Sequence, residues 1–134
     1  MPGGYQGRGL TQAEVDEITA EFRGRGGVVD QSADVQRYLE RREAGGATYN
    51  KTLIFPTATP TRTAVFEELI HAEQYRRGVS LQPHQRGVLR NEAEAAETLI
   101  RNRHAWHLPP GEVRQVIENL RLIRAQLQEL GTGG

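Results

Sequence analysis

Apolar residues in this chain recur mainly in steps of three and four, and only briefly in steps of two. That pattern predicts a mainly helical protein with a little strand. In "LTQAEVDEITAEFRG" the apolar face is Val15, Ile18 and Phe22. Thr11 and Glu14 have capping-box spacing, Leu10 and Val15 form the matching staple, and Gly24 is the expected stop. "RGGVVD" reads as a turn and a short extended piece. "SADVQRYLERRE" reads as a second helix with Val35, Tyr38 and Leu39 inward, ended by Gly45-Gly46.

"ATYNKTLIFP" is rich in strand formers. Asn50-Lys51 can turn a hairpin between Ala47–Tyr49 and Thr52–Phe55, closed by Pro56. Thr59-Pro60 is a suitable N-cap and first-turn pair for a helix from Pro60 to Arg77, with Gly78 just past its end. "VSLQPHQRG" reads as a loop, "VLRNEAEAAETLIRNRHAW" as a fourth helix and "HLPPGE" as a break. A last helix from Pro110 to Leu130 carries Val113, Val116, Leu120, Ile123, Leu127 and Leu130 as one seam. The seam reads as intramolecular core, so a monomer is expected. The fold class is therefore α+β, mainly α: about five helices with a short β-hairpin or small sheet. At 134 residues it is one domain, 1–134, with 1–8 and 131–134 as frayed ends. The Gly-rich ends also suit a piece of a longer chain.

Composition narrows the chemistry. Lys plus Arg and Asp plus Glu are both 17, a formal balance that disfavours a nucleic-acid binder. The chain has no cysteine, which excludes thiol catalysis and thiolate metal sites. Any metal must be held by His, Asp, Glu or carbonyl oxygen. No apolar run approaches the roughly 20 residues of a membrane span, and "MPGGYQGRGL" has no apolar signal-peptide core.

The helix containing "AVFEELIHAEQYRRG" has two faces. At about 100° per residue, Ala64, Glu67, Glu68, Gln74 and Tyr75 fall within about 60° of His71. Val65, Phe66, Leu69 and Ile70 take the opposite side. The polar arc sets two acids beside one imidazole with no basic partner on the same arc, unlike a solvated helix face. In the next helix, Glu92 sits within an apolar stripe of Leu89, Ala93, Ala96 and Leu99. Arg90, Glu94, Glu97 and Arg101 form its solvated face. A buried carboxylate must be paired, coordinated or protonated. Convergence of Glu67, Glu68, His71 and Glu92 between the two helices would account for all four.

Glu67-Glu68-Leu69-Ile70-His71 keeps part of the spacing of the zinc-peptidase motif His-Glu-x-x-His. "KTLIFPT", then "PTRTAVFEELIHAEQYRRG", then a Glu-bearing helix resembles the zincin-like metallopeptidase domains found as toxin modules of bacterial polymorphic toxins. The resemblance covers Ala44 to Arg103. It implies a peptidase acting as a secreted or injected effector, on a peptide or protein substrate and with an immunity protein as possible partner. It implies Glu68 as general base, His71 and Glu92 as metal ligands, and Glu67 as substitute for the first His. The departure at Glu67 makes the donor set more anionic. Zn²⁺ remains the expected cofactor, with Mn²⁺ or Fe²⁺ relatively favoured by the exchange.

Two other readings stay open. His71 and Glu68 could form a metal-free acid/base site acting on a nucleotide or RNA, with Arg62, Arg86 or Arg90 holding the anion. Alternatively Glu67 and Glu92 pair with arginines in a non-catalytic binding module. Gln74 is placed as an outer partner of His71. Tyr75 lies on the same arc as a possible donor to substrate. His84 sits in the loop joining the two helices. His104 and His107 read as surface residues near Trp106.

Overall fold

The structure, a computed structural model, describes residues 9–55, 60–78 and 85–132. Six helices and a three-stranded sheet are present among them, an α+β fold that is mainly α. The order is α1 (Gln12–Ile18), α2 (Ala20–Gly24), β1 (Val28–Asp30), α3 (Ala33–Arg42), β2 (Ala47–Tyr49), β3 (Thr52–Ile54), α4 (Arg62–Arg77), α5 (Gln85–Arg101) and α6 (Pro110–Thr132). No helix among the described residues is long and apolar enough to cross a membrane.

Local sequence accounts for most of these elements. Thr11 accepts from the Glu14 amide at 3.2 Å, and the Glu14 carboxylate accepts from the Thr11 amide at 3.0 Å, completing the capping box. The single helix expected from Thr11 to Gly24 is instead broken at Thr19. The buried Thr19 hydroxyl donates to the Val15 carbonyl at 2.8 Å, a back-bond that bends helices. Helix α3 stops at Glu43, which takes a left-handed backbone with φ 52°, rather than at Gly45-Gly46.

Asn50, with φ 56°, turns the expected hairpin, so β2 and β3 pair antiparallel with Thr48 opposite Leu53. The extended piece after Gly27 becomes β1. It pairs parallel with β3, giving the order β1-β3-β2 and leaving β2 at an edge. Helix α4 starts later than expected. Its N-cap is Thr61, whose hydroxyl accepts from the Ala64 amide at 3.2 Å. Pro60 is held outside the helix because its carbonyl accepts from the Leu10 amide at 2.7 Å. Thr59 and Pro56 lie outside the described residues. Gly78 ends α4 in the left-handed conformation with φ 81°.

Helix α4 is the centre of the molecule. Val65 and Leu69 pack into one apolar cluster with Leu10, Val15, Leu53 and Phe55. Phe66 and Ile70 pack into a second, built from Ala93, Ala96 and Leu99 of α5 and Val116, Leu120 and Ile123 of α6. The α6 seam thus closes within the chain. Glu112 of α6 is fully buried and accepts from the Thr63 amide at 3.2 Å, placing a carboxylate at the positive end of α4. With both apolar sides occupied, the remaining face of α4 turns toward β2 and α5.

Candidate functional site

Three elements meet at the polar face of α4. It contributes Glu68, His71, Gln74 and Tyr75; β2 and the residue before it contribute Thr48, Ala47 and Gly46; α5 contributes Val88, Asn91 and Glu92. Together they line a cavity of about 240 Å3. None of these lining residues is Lys or Arg. The strand can come this close because position 46 is glycine: a Cβ there would stand 3.2 Å from Glu68 Cγ and 3.0 Å from the Phe55 ring.

Gln74 is fully buried, and its contacts fix its orientation. Its amide nitrogen donates to the Asn91 carbonyl at 2.9 Å and to the Glu94 carboxylate at 3.0 Å. Its amide oxygen therefore faces His71 Nδ1, at 2.8 Å. An amide oxygen only accepts, so Nδ1 carries the proton. In the neutral ring Nε2 is then a bare lone pair. It points at Glu92 Oε1, 3.4 Å away. Two acceptors facing each other need a proton or a cation between them. The second carboxylate oxygen of Glu92 is buried with no hydrogen-bond partner.

Glu68 is only 6% exposed. Its carboxylate accepts from the Thr48 hydroxyl at 2.8 Å. The same hydroxyl lies 3.0 Å from the Glu68 carbonyl oxygen. Burial pushes the Glu68 carboxyl above the usual carboxylate range, against the opposing pull of His71 and Thr48. Burial works against charge on His71 as well. There the carboxylates of Glu92 and Glu68, the Gln74 hydrogen bond and Glu67 outweigh it, so His71 holds its proton more tightly than a free imidazole.

The structure brings Glu68, His71, Gln74, Tyr75 and Glu92 to one cavity. Glu67 is buried one turn before His71 and adds to its field, but it is not among the residues lining that cavity. His84 lies outside the described residues. Arg62 is tied to Glu14 at 3.4 Å, and Arg86 to the Leu130 carbonyl at 3.1 Å. Arg90 is exposed, as are His104 and His107. Three groups that hold the site carry no signal in the sequence pattern: Thr48, the Asn91 carbonyl and Glu94. Thr48 lies on the strand expected beside the helix. Glu94 falls on the face that periodicity assigns to solvent, because periodicity within α5 carries no information about what α4 presents to it.

The donor set meets part of what a metal ion needs. Two ligands of a tetrahedral ion with bonds of roughly 2.0–2.1 Å lie about 3.3 Å apart, and His71 Nε2 and Glu92 Oε1 are 3.4 Å apart. The locked Nδ1–H tautomer is the one that leaves Nε2 free to ligate. These two groups fit. A third is not in place: among the described residues no group of three or more His, Asp or Glu forms a metal-holding cluster. A larger groove of about 540 Å3 lies on another side of α4, over Phe22, Phe66, Leu69 and Trp106. Its lining carries Glu21, Arg25, Lys51, Glu73, Arg76, Arg77 and Glu94 but no histidine. Comparison with family models, with characterised proteins and with solved structures found no match.

Proposed function

We propose that this chain is a zincin-like metallohydrolase, a peptidase acting as a bacterial effector or toxin module. The observation that carries the reading is the contact between His71 Nε2 and Glu92 Oε1, with the other Glu92 oxygen buried and unpartnered. An acid-rich cavity without Lys or Arg in its lining favours a cation. His71 and Glu92 would hold a divalent ion, Zn²⁺ first and Mn²⁺ or Fe²⁺ as alternatives. Glu67 would have to turn toward the cavity to complete the set. A bound ion would supply Lewis-acid chemistry, polarising a carbonyl and acidifying water.

The chain's own residues supply the rest. Glu68, held toward the cavity by Thr48, takes a proton from the attacking water and passes it to the leaving amine. Its raised proton affinity suits a group that must hold a proton during the reaction. Gln74 keeps His71 in the ligating tautomer. Tyr75 lines the same cavity and would donate to the substrate carbonyl oxygen as charge develops there. A peptide or protein substrate, and an immunity protein as partner, belong to the same proposal.

The test is hydrolysis of an unfolded protein substrate by the purified chain. Chelation should abolish the activity and Zn²⁺ restore it, while Glu68→Gln should lower it by a factor of about 10²–10⁴, the usual contribution of a positioned general base. Activity that survives both chelation and Glu68→Gln would refute the proposal.

A second reading draws on the raised proton affinity of both His71 and Glu68. A proton in place of the ion between Nε2 and Glu92 would make His71 a general acid in a metal-free enzyme. Arg62 and Arg86 are engaged elsewhere, so this reading lacks a cation in the described cavity lining to hold an anionic substrate. It is distinguished by activity that His71→Ala abolishes and chelators leave intact.

A further inference from the structure

We infer that Glu94, on the outer face of α5, is a positioning residue for His71 and acts through Gln74. The inference deepens the metallohydrolase reading but stands on contacts within the chain itself. A glutamine amide can be inserted in either of two orientations, and only one serves the site. With its oxygen toward His71, Nδ1 is protonated and Nε2 is free. With its nitrogen toward His71, Nδ1 must accept, and the proton of the neutral ring moves to Nε2, which blocks ligation.

The choice between these states is made on the far side of the amide. There the Gln74 nitrogen meets two acceptors, the Asn91 carbonyl at 2.9 Å and the Glu94 carboxylate at 3.0 Å. Reversing the amide would set its oxygen against both. A backbone carbonyl cannot change its sign, and Glu94 is fixed in turn by Arg77, which donates to the same carboxylate oxygen. Charge-assisted hydrogen bonds of this kind are the stronger ones. The run Arg77, Glu94, Gln74, His71 thus links a half-exposed ion pair to the ring nitrogen that faces the cavity. Sequence periodicity assigns Glu94 to solvent, and nothing in the zinc-peptidase motif spacing points to it.

The test uses the full chain with ¹⁵N-labelled histidine, freed of metal and held at a pH where the His71 ring is neutral. The His71 resonances are identified by their loss in His71→Gln. Ring ¹⁵N shifts then read the tautomer directly. The wild type is expected to be in the Nδ1–H form. Glu94→Ala should raise the Nε2–H to Nδ1–H ratio about fivefold, which is what one ordinary hydrogen bond is worth. Glu94→Gln keeps an oxygen for Gln74 and Arg77 and should restore the wild-type ratio. Because Glu94 is half-exposed, these variants should fold, and circular dichroism checks that they do. An unchanged ratio in Glu94→Ala would overturn the inference. Titration with Zn²⁺ alone separates the two claims. A shifted tautomer with weaker Zn²⁺ binding supports both. A shifted tautomer with no Zn²⁺ binding in any variant supports the role of Glu94 and sinks the metal reading.

Discussion

Glu68 and His71 hold protons more tightly in the folded chain than free side chains do, and this has a signed consequence for stability. The unfolded imidazole titrates at roughly pH 6.5. Because the folded value is raised, the native state binds more protons just above that pH. The stabilisation is complete below about 6.5 and is lost as pH rises through the folded value. The raised Glu68 acts in the same direction from the ordinary carboxylate range upward. Thermal melting of the metal-free chain should therefore fall as pH rises from 6 toward 9. His71→Gln should flatten the limb above about 6.5. A melting temperature that climbs over that interval would contradict the assignment. At this scale the sequence was informative where a single helix settles the matter. The arc of Glu68, His71, Gln74 and Tyr75 follows from 3.6 residues per turn alone. The sequence was silent on Thr48 and Glu94, whose roles depend on contacts between elements.

At the scale of the element, the site depends on how closely β2 approaches α4. Gly46 sits at the tightest point. A methyl group there would meet the fully buried Phe55 ring and Glu68, which borders the cavity, so Phe55 takes the strain and Glu68 is displaced. Gly46→Ala should destabilise the chain by about 1–3 kcal/mol, as overpacking does. It should also push Glu68 away from Thr48. Urea unfolding checks the first effect. The second should appear as lost hydrolysis at temperatures where the variant is still folded. The hairpin of β2 and β3 was legible because strand formers flank Asn50-Lys51 at the right distance. Several helix boundaries were not, among them the start of α4, the end of α3 and both ends of α5. Thr61 displaces Thr59-Pro60 as the cap of α4 because the Pro60 carbonyl is taken by Leu10, a residue far away in sequence. Helix α3 ends at Glu43 although two glycines follow close behind, so glycine marked the region but not the residue.

At the scale of the whole molecule, α4 divides two jobs between its sides. One side carries Phe66 into the cluster formed by α5 and α6, where it stacks on Trp106 with ring centroids 4.5 Å apart and planes 3° from parallel. The other carries His71 into the cavity. Phe66→Ala should cost roughly 2–3 kcal/mol, below the range for a fully buried phenylalanine because Phe66 is only half-buried. Trp106 is the chain's one tryptophan, so its emission should shift to longer wavelength and report the change. Zn²⁺ binding at the opposite side should survive while the variant remains folded. The α+β class could be read from the sequence because helical and strand periodicities are local. The parallel pairing of β1 with β3 could not, since it brings together segments that share no sequence signal.

We propose that the space between His71 and Glu92 belongs to a metal ion rather than to a proton alone. Elemental analysis of the full chain, purified without chelator or metal affinity resin and then dialysed, addresses it most directly. The expected result is close to one equivalent of zinc, or of manganese or iron, per chain, lost in both His71→Ala and Glu92→Ala and kept in Phe66→Ala. A wild-type chain that retains no metal, and whose melting temperature does not respond to added Zn²⁺, Mn²⁺ or Fe²⁺, would contradict the claim.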